Sequence, residues 1–352
     1  MLLFKYVALH YLKYFSVILS ALVLFYVGFD YMGVASSLPS SANLVILYLI
    51  YKAQSALDIM LPLALLFSMI STKLFLIRSN ALVAFYSLGY SKHDLLKPFL
   101  IVSVSIVFFF ITLHATSFAK ANEISEKVKK NAQYVDISND LFFTYKNKYI
   151  YFERLEVLQR TAYNVRIFKL ENETLSELII ASSAVYRGEY WEIDSAHVIK
   201  KPAVINLDSH GIEVNSVGNL KILRDFRPKI LDQIYEGKVN FSILDAVEAL
   251  SILNDENLNI DLIKSSLYKA FIYPFFVPLM IIIIFYMVPI SPRFLNVTLF
   301  SFGAILASLL VWGVLFMLIE LSNTKTIPSE IGIILPIFIL ILGAIFQWKR
   351  FK

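Results

Sequence analysis

The sequence predicts a membrane α-helical protein: six transmembrane helices, with an all-β domain inserted between the third and the fourth. Three observations carry this. Of 352 residues 58% are hydrophobic, and the mean hydropathy is +0.66, a balance that soluble domains do not reach. Six apolar stretches each match the roughly 20 helical residues that a hydrocarbon core requires. From about Leu141 to Leu223 the pattern changes to short β-branched and aromatic runs separated by polar turns, as in a β-sandwich or barrel.

The spans are expected near Tyr14 to Gly33, Ala56 to Ile77, Pro98 to Phe118, Ala270 to Val288, Leu295 to Leu321 and Ile331 to Trp348. No cleavage site follows the first apolar run directly, so it is read as a retained helix. Charge then orients the set. Lys5, Lys13, Lys73, Arg78, Lys92, Lys97, Arg293, Lys349, Arg350 and Lys352 flank one set of helix ends, and Lys52, Lys269 and Lys325 the other. Basic residues gather on the cytoplasmic side, so both termini are expected there and the β-domain outside the cytoplasm. The resulting division is 1–118 for helices one to three, 119–268 for the β-domain with a helical connector, and 269–352 for helices four to six.

The net charge of +5 hides an asymmetry. Residues 119–268 hold 19 Lys/Arg and 22 Asp/Glu, a net of −3, and the remainder holds 13 and 5, a net of +8. Basic residues beside apolar spans account for this as membrane anchoring, so no nucleic acid partner is expected. There are no cysteines, which excludes disulfides, thiolate metal sites and cysteine nucleophiles.

Between helices two and three, Arg78-Ser79-Asn80-Ala81-Leu82-Val83-Ala84-Phe85-Tyr86-Ser87-Leu88-Gly89 reads as a short helix. Leu82, Phe85 and Tyr86 share one face, and Gly89 is a terminator. It either receives motion from a soluble motor or lies on the lipid surface. Asp30, Lys52, Asp58 and Glu320 sit near the outer ends of their spans, where charge reaches interfacial water at low cost; the alternative, a polar cavity or helix contact, makes Asp30 and Lys52 candidates. In helix five, Gly303 with Ala307 and Ala304 with Ser308 are small residues four apart that let another backbone approach.

Candidate strands are Leu141 to Tyr145, Tyr149 to Leu155, Val165 to Leu170, Leu178 to Tyr186, Tyr190 to Asp194 and Ala203 to Leu207, with turns at Lys146-Asn147, Glu171-Asn172 and Arg187-Gly188. In the second run Tyr149 and Tyr151 point to one side and Ile150 and Phe152 to the other, so both faces are apolar. Either both are covered, or one is core and the other an aromatic cross-strand ladder. Phe241, Leu244, Val247, Leu250 and Leu253 then recur every three residues after a possible Ser242 cap, a helix expected to pack its stripe against the domain or against neighbouring helix ends.

Signs of chemistry are missing. There is no G-x-x-x-x-G-K-[ST] loop, no G-x-S-x-G elbow and no H-E-x-x-H pair. His10, His93, His114, His197 and His210 lack metal-ligand spacing, and Asp208-Ser209-His210 reads as a loop because adjacent side chains of an extended chain diverge. No catalytic residue, metal or cofactor is expected.

The ordered pattern of three helices, β-domain and three helices resembles the LptF/LptG permease family, the membrane subunits of the ATP-driven lipopolysaccharide exporter of Gram-negative bacteria. Residues 78–89 look like that family's coupling helix, although Asn80 and Ala81 stand where relatives usually carry an acidic residue. Asn147-Lys148-Tyr149-Ile150-Tyr151-Phe152-Glu153-Arg154 is similar to the first jellyroll strands of the LptG branch, more than to LptF. Ser242 to Leu250, Tyr268-Lys269 and Pro274 look like the family's return into helix four. Helix one lacks the basic residue that relatives can hold in its outer half.

The resemblance implies a periplasmic jellyroll-like domain and a non-catalytic inner-membrane permease. Its partners would be a sister LptF/LptG-type permease, a cytoplasmic ATPase dimer that uses the ATP, periplasmic bridge proteins and lipopolysaccharide. Arg78, Asn80, Ala81, Leu82, Phe85, Tyr86 and Gly89 would meet the ATPase, and Tyr149, Ile150, Tyr151 and Phe152 would line the lipid's path. The rival is a membrane-anchored assembly factor or sensor whose β-domain binds only protein. For the topology, reporter fusions after Lys92 and at the C-terminus are expected to report cytoplasm, and fusions near Asn172 periplasm. A cytoplasmic signal at Asn172 overturns this arrangement.

Overall fold

A computed structural model describes residues 2–129, 137–145, 148–156, 159–171, 174–201, 211–224, 242–252, 260–287, 296–324 and 326–350. In chain order its helices begin with α1 (Leu2–Val34), α2 (Ala42–Arg78), α3 (Ala81–Ser87), α4 (Lys92–His114) and α5 (Ala121–Lys129). Six strands follow: β1 (Ile137–Tyr145), β2 (Lys148–Glu156), β3 (Thr161–Glu171), β4 (Thr174–Tyr186), β5 (Trp191–Lys200) and β6 (Glu213–Ile222). The chain continues through α6 (Ile243–Ile252), α7 (Ile260–Phe271), α8 (Phe276–Met287), α9 (Val297–Asn323) and α10 (Leu335–Arg350). Two compact units result, Met1–Asn131 with Lys264–Lys352, and Ala132–Ile263.

In the helical unit, six helical stretches among the described residues are long and apolar enough to cross a membrane: Leu2–Ser37, Ala42–Arg78, Lys92–His114, Asp261–Met287, Thr298–Asn323 and Glu330–Arg350. Most run beyond the windows that hydropathy marks, because a helix continues through amphipathic turns once its apolar part is fixed. The third span is shifted. A capping box of Ser91 and Asp94 starts α4 at Lys92, and the Thr116 hydroxyl, accepting from the Phe118 N–H at 3.2 Å, opens a separate 3₁₀ turn after the helix has ended at His114.

Span four is broken by a 3₁₀ turn at Tyr273–Phe275, where Pro274 has no N–H to give. Span six begins in a π-turn, Glu330–Ile334. There a Cβ on Gly332 would fall 2.0 Å from Ser322 Oγ and 3.0 Å from the Leu318 carbonyl, so only glycine permits this approach to α9. The α2 helix lies at the centre of the unit, with two thirds of its apolar window buried, whereas none of the corresponding window of α1 is. Ser68 and Thr72 of α2 return their hydroxyl protons to the carbonyls of Leu65 and Ser68 at 2.9 and 2.7 Å, so neither leaves a donor bare.

The inserted unit holds one antiparallel sheet in the order β1-β2-β3-β4-β5-β6. Its register aligns Ile150 with Ile167, Ile167 with Ile179 and Ile179 with Val198, and aligns Phe152 with Val165, Val165 with Ala181 and Ala181 with Ala196. All of these side chains are buried. In a flat sheet β2 and β5 would lie roughly 14 Å apart, three strand spacings. Yet the Phe152 and Trp191 ring centroids are 5.3 Å apart. The sheet therefore curls about this face, making it an interior.

Strands β1 and β6 remain as edges, so the sheet is not closed. The β4–β5 turn is the expected one, with Gly188 at φ +99° and the Arg187 N–H bonded to the Tyr190 carbonyl at 2.9 Å. Strand β6 was not expected. Its sequence, EVNSVGNLKI, lacks alternation, and it is exposed along most of its length. The expected strand Ala203 to Leu207, the turn residues Lys146-Asn147 and Asn172, and Asp208-Ser209-His210 lie outside the described residues. The α6 helix forms as expected, but Leu244 and Val247 are exposed and Ala246 is buried, so the predicted stripe is not its packing face. Phe241 and Leu253 lie outside the described residues.

Candidate functional site

The short helix between spans two and three is present as α3. Asn80 precedes it with φ +55° and Gly89 follows it with φ +85°, left-handed conformations that asparagine and glycine adopt more readily than other residues. The apolar face that the spacing singles out points inward. Leu82 is buried, Phe85 and Tyr86 are half-buried, and the Phe85 ring lies 5.9 Å from Tyr6 of α1. Burial, with the nearby Tyr286 hydroxyl adding to it, pushes the Tyr86 phenol up to about 12. The surface offered outward consists of Val83, Ala84, Ser87 and Leu88, with Arg78, Asn80, Gly89 and Tyr90 exposed around it and Ala81 half-buried.

At the opposite end of the spans, charged residues meet one another. Lys52 of α2 is only 6% exposed. Its ammonium lies 3.1 Å from Asp30 Oδ1 on α1 and 3.6 Å from Glu126 Oε1 on α5. The Tyr48 hydroxyl donates to the other oxygen of Asp30. Lys52 and Asp30 thus form a contact between α2 and α1, with Lys52 buried and Asp30 partly exposed.

Asp58 makes a second cluster. Its Oδ1 is 2.8 Å from His114 Nε2 at the end of α4, and its Oδ2 is 3.6 Å from Lys269 Nζ on α7. His114 Nδ1 faces the Phe110 carbonyl at 3.0 Å. Both ring nitrogens thus face oxygen atoms, one a carboxylate and one a backbone carbonyl. The α7 helix is held further by Lys264 with Glu330 at 3.1 Å and by Ser265 donating to Asn323 at 2.7 Å. Glu320, the fourth charge, is exposed and accepts from the Asn323 side-chain amide at 2.7 Å. On α9, Ala304 and Ser308 are buried, while Gly303 and Ala307 look outward with open space around Gly303.

In the inserted unit the two faces of β2 differ. Ile150 and Phe152 are fully buried in the curled interior. Tyr149 and Tyr151 belong to an outer ladder: Phe142 and Tyr149 stack at 5.8 Å, the Arg166 guanidinium lies 5.7 Å from the Tyr151 ring centroid, and the Tyr151 hydroxyl donates to Asp140 at 2.6 Å. That hydrogen bond raises the Tyr151 phenol. The four residues therefore do not form one site. They divide between core and surface.

Spacing did not reveal Tyr48, Glu126, His114 or Lys269 as partners, since they join elements far apart in the chain. The only local signal was an ionisable residue inside or beside an apolar run. No cluster of three metal-ligating side chains occurs among the described residues. The arrangement holds helices in position and offers two surfaces, the outer side of α3 and the interior of the curled sheet.

In a comparison with protein families, the model described as lipopolysaccharide export system permease LptF/LptG aligns with residues 5–350. No curated protein matches the chain.

For the Asp30 cluster, Lys52→Met is expected to destabilise the protein by about 3–5 kcal/mol, because it leaves a carboxylate without its cation. Adding Asp30→Leu restores most of that loss. Thermal unfolding in detergent of the two singles and the double measures it, and additive losses would show that the pair does not interact.

Proposed function

Because the chain belongs to the LptF/LptG family of lipopolysaccharide export permeases, we propose that it is the LptG-like half of an ATP-driven exporter that draws lipopolysaccharide from the inner membrane. It is a multi-pass inner-membrane permease, a subunit that acts with others in transport. The observation that carries the proposal is the family match over residues 5–350, on a chain whose six spans enclose an inserted β unit.

On this reading a sister permease completes the membrane channel, and two copies of a cytoplasmic ATPase supply the energy. The chain itself binds no cofactor. Its contact with the ATPase is the outer face of α3, where Leu88 and Val83 are exposed apolar side chains. Leu82, Phe85 and Tyr86 lie behind that face and transmit its movement. The inserted unit takes the acyl chains of the lipid into its curled interior, along Ile150 and Phe152, and passes them to periplasmic bridge proteins. The run from Asn147 to Arg154 supports the LptG branch. An interior lined by Ile, Val, Phe and Trp suits hydrocarbon, and the open edges at β1 and β6 give it a place to widen.

Purification in mild detergent is expected to bring down an ATPase and lipopolysaccharide with the chain. Leu88→Asp removes an apolar contact and buries a charge, so ATPase recovery is expected to fall roughly thirtyfold, the equivalent of about 2 kcal/mol. Full assembly and transport by Leu88→Asp would reject α3 as the contact.

Photocrosslinkers at Ile150 and Phe152 are expected to capture lipopolysaccharide in an ATP-dependent way, and those at Tyr149 and Tyr151 not to. Protein adducts without lipid would favour the assembly-factor reading. Failure of both inner positions in a transporting complex would reject the conduit.

A further inference from the structure

Spans five and six lean on different neighbours: α9 lies against α2, and α10 lies against α8. They approach each other closely in the π-turn before α10, where the bare α-carbon of Gly332 faces Ser322 Oγ and the Leu318 carbonyl of α9. From that clamp the two helices run into the membrane together, α9 toward lower residue numbers and α10 toward higher ones.

Beyond the clamp their side chains part. Leu310, Val311 and Val314, with the buried Leu315, share a face of α9, and Pro336, Ile339 and Leu340 share a face of α10. Between them lies an open groove of about 270 Å³, and every side chain that lines it is apolar. Leu310 stands midway along the span Thr298–Asn323, so the groove lies within the hydrocarbon. Its rims, Leu310, Val314 and Ile339, are each more than half exposed, and exposed Leu306, Met317 and Leu342 continue the same surface one turn away. The groove is therefore continuous with the face that an inner-membrane protein turns to lipid.

Three constraints name what fills it. At this depth hydrocarbon is the solvent, and helices in it are not driven together by the hydrophobic effect. A groove left empty forfeits the dispersion contacts of its lining. Its volume exceeds the about 150 Å³ that accepts a benzene ring and falls short of the roughly 300–1,000 Å³ that surrounds a whole small ligand. That is room for part of one chain. A glycerophospholipid can lay one acyl chain there and leave its second in the bilayer, whereas lipopolysaccharide carries several chains on one headgroup that must be taken together.

We propose that the groove holds one acyl chain of a bilayer phospholipid, a resident wedge between spans five and six that keeps α9 on α2 and α10 on α8 while Gly332 joins them. This holds whatever α3 contacts and whatever the curled interior carries.

The test uses the full-length chain with the partners it retains, reconstituted in vesicles of phosphatidylethanolamine that carries a photoactivatable group in one acyl chain. The protein is then extracted into lipid-free mild detergent, which strips freely exchanging lipid, and illuminated. A phospholipid adduct mapping to residues 310–315 and 336–340 is expected. Val314→Phe and Ile339→Phe each place a ring in the groove from an exposed position, and each is expected to lower the adduct yield about tenfold. Leu309→Phe, on another face of α9, is expected to leave it unchanged. Adducts spread evenly over the exposed surface of both spans, or a yield unaltered by both groove variants, would overturn the proposal. So would stronger labelling of the groove by lipopolysaccharide bearing the same group, or capture of another protein chain by a photoreactive side chain at position 314. If both groove variants misfold, the wild-type adduct map decides by itself, since a lipid that is not held leaves no adduct after extraction.

Discussion

Charge placed on α2 fixes the helical unit. A hydrocarbon core leaves no solvent to neutralise an ion, and a charged residue at a helix centre costs about 2.5–3.5 kcal/mol on insertion scales. Three ionisable side chains of α2 meet this constraint with different partners. Lys52 takes Asp30 of α1 and Glu126 of α5. Asp58 takes His114 of α4 and Lys269 of α7. Lys73 takes the carbonyl and ring of Phe285 on α8. Five helices are positioned against one by groups that cannot be left alone, whereas apolar packing by itself would tolerate sliding. Between Asp58 and Lys73 the hydroxyls of Ser68 and Thr72 are bonded to the backbone of α2 itself.

How much of this is legible in the sequence follows from how local each signal is. The six spans are legible because hydropathy sums over neighbours along one helix. Strands β2 to β5 are legible because alternation of apolar residues needs no knowledge of partners. Strand β6 is not, since its polar and glycine-containing run is recruited by pairing with β5. The ion pairs are hidden for the same reason: Asp58 and His114 stand 56 residues apart, and nothing near either names the other. Position alone therefore suggests interfacial solvation and does not reveal the ion-pair partners of Asp30, Lys52 and Asp58. For α3 the spacing separates two faces correctly, but Tyr6 decides which one turns inward.

The β unit shows a related limit. Alternation in β2 shows that Tyr149 and Tyr151 oppose Ile150 and Phe152, and that is all one strand can show. The choice between faces is made by Trp191, which reaches Phe152 from β5 because the sheet bends toward that side. Once bent, the aliphatic and Phe side becomes the interior. The tyrosines become an outer ladder, where their hydroxyls and the Arg166 guanidinium can meet water. A candidate site of four consecutive residues thus becomes two faces with different chemistry, an apolar interior and an aromatic outer face that carries hydroxyls and charge.

Span four and α2 are joined near both ends, by Asp58 with Lys269 and by Lys73 with Phe285, so they behave as one body despite the break at Pro274. The α4 helix is attached to that body firmly at one end, through His114. At its other end the His93 imidazole bonds the Tyr286 hydroxyl of α8 at 2.6 Å. The chain connects that end of α4 directly to α3 through Leu88 to Ser91. A displacement of α3 therefore enters α4 at its first turn and meets the Asp58–His114 pair at its last, so the attachment of α4 to α2 and α8 sets how far such a displacement travels.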